Sequence, residues 1–170
     1  MEKKYILTDE TIEHFGHTLH RIQAVKDFAG ISAGMFGGYI EREDNLDHAG
    51  NAMVSGNAMV FGDAKVSGNA MVFGDAWMSD NAMVFGDAKV SGNAWVREPS
   101  DIALIKGFGS EFRATSFFRC VDGLVRCQCG CFYGTVDEFR SKVRETHGSS
   151  KYAKEYLMIA DLMELHFKED

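Results

Sequence analysis

The sequence predicts a mainly-β chain: a left-handed parallel β-helix with a small β-rich N-terminal cap and a C-terminal α+β domain. Three observations carry this reading. Residues 50–97 repeat with a six-residue period, Gly reaches 18 while Pro is held to 1, and the single Pro99 stands where the repeat gives way to another pattern. The implied divisions are residues 1–37, 38–98 and 99–170.

The cap comes first. Thr11-Ile-Glu-His-Phe-Gly-His-Thr-Leu-His reads as a hairpin turning at Gly16, followed by a strand through Ile22 and Val25. His14, His17 and His20 lie on either side of that turn, a spacing that disfavours three-way metal ligation and predicts solvated side chains. Gly37-Gly-Tyr-Ile-Glu-Arg-Glu-Asp-Asn-Leu then leads into the repeat. Its acids Glu41, Glu43, Asp44 and Asp47 are placed to cap the open end of the helix against further strand addition.

From Gly50 to Arg97 the register is Gly-[Asn/Asp]-Ala-x-Val-x through eight hexads, broken only by Asp80 for Gly and Met78 for Val. Six does not match the seven-residue period of a coiled coil, and Gly and Val at fixed phases are poor helix formers. Strand alternation fits instead: Ala and Val lie two apart and face inward, while x faces out. Gly with Asn or Asp suits the corners, where the backbone visits positive φ. Three hexads per coil give a triangular prism on which residues 18 apart stack. One face then carries Met59, Trp77 and Trp95, a second Met53, Met71 and Lys89, and a third Lys65 and Met83. Six of the eight outward x positions are Met or Trp, an apolar load that predicts cover by the terminal segments, by other copies, or by both. The Met59/Trp77/Trp95 face is assigned to a homotrimer axis.

Beyond Pro99 the reading is two or three strands and two helices. Phe117 to Val121 and Leu124 to Cys129 form a hairpin about Asp122-Gly123. Thr135-Val-Asp-Glu138 is a capping box that opens a helix stopped at His147-Gly148. Ser149 or Ser150 opens a second, with an apolar stripe through Tyr152, Tyr156, Ile159, Ala160, Met163 and Phe167.

Candidate chemistry is sparse. A two-residue turn at Asp122-Gly123 sets Cys120 against Val125, so Cys120, Cys127, Cys129 and Cys131 share one strand face. Same-face residues sit about 6.6 Å apart, too far for one zinc ion unless the strand bends sharply at Gly130, so free thiols are the main expectation. The same register places Arg119 opposite Arg126, and with Arg113 nearby this predicts an anion site. Arg140, Lys142 and Arg144 read as a solvated helix face. The net charge of −7 argues against general nucleic-acid binding. No apolar run reaches membrane-spanning length, no cofactor motif appears, and the Met1 start resembles no secretion signal. Residues 50–97 contain no His, Cys or Glu, which counts against the acyltransferase and carbonic anhydrase activities found on hexapeptide prisms.

Nearly end to end, the chain resembles a family of bacteriophage and prophage hexapeptide-repeat proteins, some labelled polymer-forming. The resemblance rests on Lys4-Tyr-Ile-Leu-Thr-Asp-Glu-Thr, on the Gly37 to Leu46 lead-in, on Gly130-Cys-Phe-Tyr-Gly-Thr-Val-Asp-Glu-Phe, on Glu145-Thr-His-Gly and on Lys151-Tyr-Ala-Lys-Glu-Tyr-Leu. It implies the left-handed β-helix and a viral accessory role, without a settled activity. The expectation is a non-enzymatic, cofactor-free trimeric binder in the host cytoplasm. It would counter defence by sequestering a nucleotide-like second messenger or blocking a bacterial defence protein. A virion structural or assembly part and a hexapeptide acyltransferase are the alternatives.

Overall fold

The computed structural model describes residues 2–168. Strands β1 (Tyr5–His14) and β2 (His17–Ala24) form the expected antiparallel hairpin, turning at Phe15-Gly16, and β3 (Phe36–Ile40) returns beside β2. Eight two-residue strands follow: β4 (Met53–Val54), β5 (Met59–Val60), β6 (Lys65–Val66), β7 (Met71–Val72), β8 (Trp77–Met78), β9 (Met83–Val84), β10 (Lys89–Val90) and β11 (Trp95–Val96). They wind into a three-turn β-solenoid. One face is β3-β5-β8-β11, continued outward by β2 and β1; the second is β4-β7-β10 and the third β6-β9. Met59, Trp77 and Trp95 stack in register, as do Met53, Met71 and Lys89, which is the 18-residue spacing of the sequence.

The inward column is dry. Val54, Val60, Val66, Val72, Met78, Val84, Val90 and Val96 are all buried, and so is the Ala two residues before each. Each buried Val-sized side chain contributes roughly 1.5 kcal/mol or more, so the repeat is its own core. At the corners the glycines hold φ between 63° and 72°. Asp80 occupies the same conformation at φ 53°, a setting Asp tolerates better than most residues. A Cβ on Gly62, one coil below, would lie 3.0 Å from the Asp80 nitrogen. Asp80 escapes that crowding because it tops its column: the chain leaves the prism at Glu98-Pro99.

Outside the strand ladders, each coil donates N–H groups to carbonyls of the coil that follows, as from Met53 to Ala70 at 2.9 Å. The first coil therefore presents mainly carbonyls at its open edge and the last mainly N–H groups. At the N-terminal end Tyr39 N donates to Ala58 O, Glu41 N to Val60 O and Asp47 N to Val66 O. Side chains add to these: Lys4 Nζ donates to Ala52 O at 2.8 Å, and Asn45 Nδ2 to Ala64 O at 2.9 Å and Gly62 O at 3.1 Å. Tyr5 plugs the bore and donates its hydroxyl to Leu46 O at 2.6 Å. Of the four acids read as capping this end, Glu41 does so by accepting from Gly62 N at 2.7 Å, while the carbonyls are met by amides and the Lys4 ammonium. Lys4 is 1% exposed, and burial pulls its ammonium down to about 8. Gly37 and Gly38 permit the close approach, since a Cβ there would meet Val54 O at 2.7 Å and Ala58 O at 2.6 Å.

The other end is closed by a four-stranded antiparallel sheet, one strand more than the upper expectation. Its order is β12 (Ile102–Ile105), β13 (Thr115–Arg119), β14 (Val125–Cys129) and β15 (Phe132–Thr135). Here the caps are acceptors: Lys89 N donates to Ser116 Oγ and Arg97 N to Asp101 Oδ2, both at 2.9 Å. Phe118 and Cys120 join the prism core, while Phe117 and Cys127 join a second core beneath the helices α1 (Val136–His147) and α2 (Lys151–His166). The α1 capping box is present, with Glu138 N donating to Thr135 Oγ1 and Thr135 N to Glu138 Oε2. Gly148 ends it at φ 57°, and Ser150 caps α2. Among the described residues, no helix is long and apolar enough to cross a membrane.

Candidate functional site

The β13–β14 hairpin corrects the sequence reading by one residue. Cys120 N donates to Leu124 O and Gly123 N to Cys120 O, so three residues turn, with Gly123 at φ 78°. This is the three-residue loop with a glycine at the positive-φ position. Arg119 consequently faces Val125, and Phe118 faces Arg126. A one-residue slip reverses every side chain, so Arg119 and Arg126 lie on opposite faces of the sheet. The four thiols part company too. Cys120 faces the prism, Cys127 is buried under the helices, Cys129 borders that second core, and Cys131 is exposed in the β14–β15 turn. Burial pushes the Cys120 and Cys127 thiols up.

Neither Arg119 nor Arg126 forms the expected anion site. Arg126 grips Asp122 with both terminal nitrogens, at 2.8 and 2.7 Å, and holds that carboxyl well below the usual carboxylate range. Arg119 Nε lies 3.1 Å from Asp101, and Nη2 donates to Phe167 O at 2.9 Å. Arg140 is no solvated residue either: it pairs with Asp137, Asp161 and Glu164.

Arg113 is different. It is half exposed and 3.4 Å from Glu111, and it lies across the β14–β15 turn, where a Cβ on Gly130 would sit 2.6 Å from its Nη1. On one side of it opens a cleft of about 340 Å³ between residues 110–113 and α1. Phe132, Phe139, Tyr156 and His147 wall this cleft, with Cys129, Cys131 and Lys142 at its edge. The rings hold one another: Phe139 meets Tyr156 edge-on at 5.5 Å and Phe132 at 5.8 Å, and His147 lies 5.8 Å from Tyr156. Thr115 Oγ1 donates to Cys129 Sγ at 3.1 Å. Burial, with Cys129 adding, pushes the Tyr156 phenol up to about 12. The loop above is pinned by Gly109, whose N–H donates to Glu155 at 3.0 Å and whose missing side chain makes room for the Tyr156 hydroxyl. On the other side of Arg113 lies a shallower groove of about 290 Å³, lined by Lys89, Lys106 and Asp87. Lys106 pairs with Asp87. Lysines from the prism and from the loop after β12 thus meet at one arginine, a convergence no local pattern announces.

The Met59/Trp77/Trp95 face, assigned from sequence to a trimer axis, is covered in part by the chain itself. His14 packs edge-on against Trp77 at 4.6 Å and Phe61 at 5.4 Å, and Phe15 stacks toward Trp95. The histidines of this hairpin are half-buried and each has neighbours within the chain. His17 Nδ1 lies 3.0 Å from Glu41, and His20 Nδ1 sits 3.0 Å from Thr8 O. Burial among these rings lowers the His14 pKa.

No curated protein matches the chain. Residues 64–80, about one coil of the prism, match a family model described as the YdcK beta solenoid repeat. That similarity and the three-turn solenoid together place the chain with β-helix proteins.

Proposed function

We propose that the protein is a non-enzymatic binder of a small, flat, anionic ligand of nucleotide type, held at Arg113. The observation that carries this reading is the position of Arg113 as the shared wall of an aromatic cleft and a lysine-lined groove. Four permanent cations line the two basins (Arg113, Lys142, Lys89 and Lys106) against the two carboxylates Glu111 and Asp87. A base fits the ring-walled side, and phosphates suit the guanidinium and ammonium side. Lys142 is shared with Glu145 at 2.9 Å, which makes Arg113 the principal contact. The resemblance to phage and prophage repeat proteins gives the setting: capture of a nucleotide signal inside an infected bacterium.

Calorimetry against mononucleotides, cyclic mononucleotides and cyclic dinucleotides tests it. Binding is expected for at least one class, weakened tenfold or more by Arg113→Ala and unchanged by Arg126→Ala, whose guanidinium is closed off by Asp122. No heat with any class, or binding indifferent to Arg113→Ala, overturns the proposal.

A further inference from the structure

The β12–β13 ladder ends on the pair Ile105 and Thr115, so the next residues out, Lys106 and Ala114, flank the mouth of the loop that carries Arg113. The prism brings a further cation. Lys89 is an outward position of β10, and its N–H is fixed to Ser116 Oγ at 2.9 Å, on the strand that Arg113 leads into. These attachments gather Lys89, Lys106 and Arg113 around the groove of about 290 Å³. Among the described residues a single carboxylate, Asp87, lines it. Asp87 is held by Lys106 and by Asn69 Nδ2 at 3.1 Å, and Lys89 pairs with no carboxylate among the described residues. The two sides of Arg113 are therefore unlike. Phe132, Phe139 and Tyr156 wall the cleft on one side, whereas no described ring lines the groove on the other, where three cations meet one acid.

We infer, resting on the nucleotide reading of Arg113, that the ligand class is a linear nucleoside polyphosphate. It carries one base on the ring-walled side of Arg113 and a chain of two or more phosphates on the lysine side. A cyclic dinucleotide presents two bases about a small ring of two singly charged phosphates, and only one basin here offers rings to stack on. A nucleoside monophosphate ends at the guanidinium and leaves Lys89 and Lys106 unused. A chain extended past Arg113 reaches both ammonium groups, whose hydrogen bonds to phosphate oxygens are charge-assisted. Arg113 suits the dividing position, because a planar guanidinium stacks with its face and donates to phosphate along its edge. Gly130 leaves it room, since a Cβ there would stand 2.6 Å from Arg113 Nη1. Lys106 exchanges Asp87 for phosphate as the chain enters, and the pair it gives up is open to water and weak.

Calorimetry of the full chain at fixed ionic strength compares adenosine and guanosine mono-, di- and triphosphates with the cyclic dinucleotides of both bases and with inorganic tripolyphosphate. For at least one base, affinity is expected to rise about threefold with each added phosphate, the scale of one partly exposed charge pair, and so about tenfold from mono- to triphosphate. Lys89→Ala with Lys106→Ala flattens that rise and leaves monophosphate affinity within about twofold, whereas Arg113→Ala weakens every nucleotide. Neither lysine is buried, and circular dichroism checks that the double variant keeps its fold. A cyclic dinucleotide that binds through Arg113 as tightly as the best triphosphate overturns this inference and leaves the nucleotide reading standing. So does affinity indifferent to phosphate number, or a rise that survives the double lysine substitution. Tripolyphosphate binding as tightly as the triphosphate also overturns it, because the ring-walled cleft then contributes nothing. No heat with any nucleotide ends both.

Discussion

The two ends of the prism present opposite chemistry to whatever closes them. The N-terminal end shows carbonyls and is met by donors: the ammonium of Lys4, the amide of Asn45 and three backbone N–H groups. The C-terminal end shows mainly N–H groups and is met by acceptors, the hydroxyl of Ser116 and the carboxylate of Asp101, while Val121 N donates to Asn93 O there. Even the plugs follow suit. Tyr5 needs its hydroxyl for Leu46 O, whereas Phe118 at the other end needs none. The balance of groups differs between the two ends of the coil, and so does the balance of residues that meet them.

Swapping polarity at constant shape is the strongest way to break that comparison. Asn45→Asp aims a buried carboxylate at Gly62 O and Ala64 O, and should cost about 4 kcal/mol in denaturant unfolding at pH 7. The reverse exchange at the other end, Asp101→Asn, keeps an acceptor and should cost less. Asp101→Ala removes the partner of Arg97 N, Glu98 N and Arg119 together, with an expected loss of about 3 kcal/mol by the same measurement.

A pH series sharpens the donor end. Lys4 titrates near 8 when folded and at 10.5 when unfolded, so between those values the unfolded chain binds the extra proton and stability rises with pH. The raised thiols of Cys120 and Cys127 and the raised phenol of Tyr5 act in the opposite sense at alkaline pH. Their effect cancels when wild type is compared with Lys4→Met. That difference should move in favour of wild type by about 2 kcal/mol from pH 8 to pH 10. The smallest effect belongs to Ser116→Ala, which strips one acceptor from Lys89 N and should cost about 1 kcal/mol.

The prism was legible because its code is periodic: each Val and each corner is set by its own hexad. The caps were not. Lys4 and Tyr5 reach carbonyls more than forty residues away, and a buried lysine leaves no trace in local pattern. The β13–β14 register failed for a narrower reason, since Asp122-Gly123 serves a three-residue turn as well as a two-residue one. That slip alone scattered the Cys cluster and the Arg119–Arg126 pair. Of the arginines singled out, Arg113 reached the cleft. Tyr156, read as core, proved both core and cleft wall, and Phe132 and Lys89 came together with them only through the fold. The exposed Met158, Leu162 and Leu165 of α2 were hidden by its buried stripe, because apolar residues on two sides blur any single helical face.

Asp80 has a bearing on how such a chain can grow. Tandem duplication is the simple route to a longer coil, and every glycine corner tolerates a new layer above it. A layer laid over Asp80 would bring its backbone against the Asp80 Cβ at the 3.0 Å separation that Gly62 avoids by having none. Extra turns therefore enter below that position with less crowding than above it.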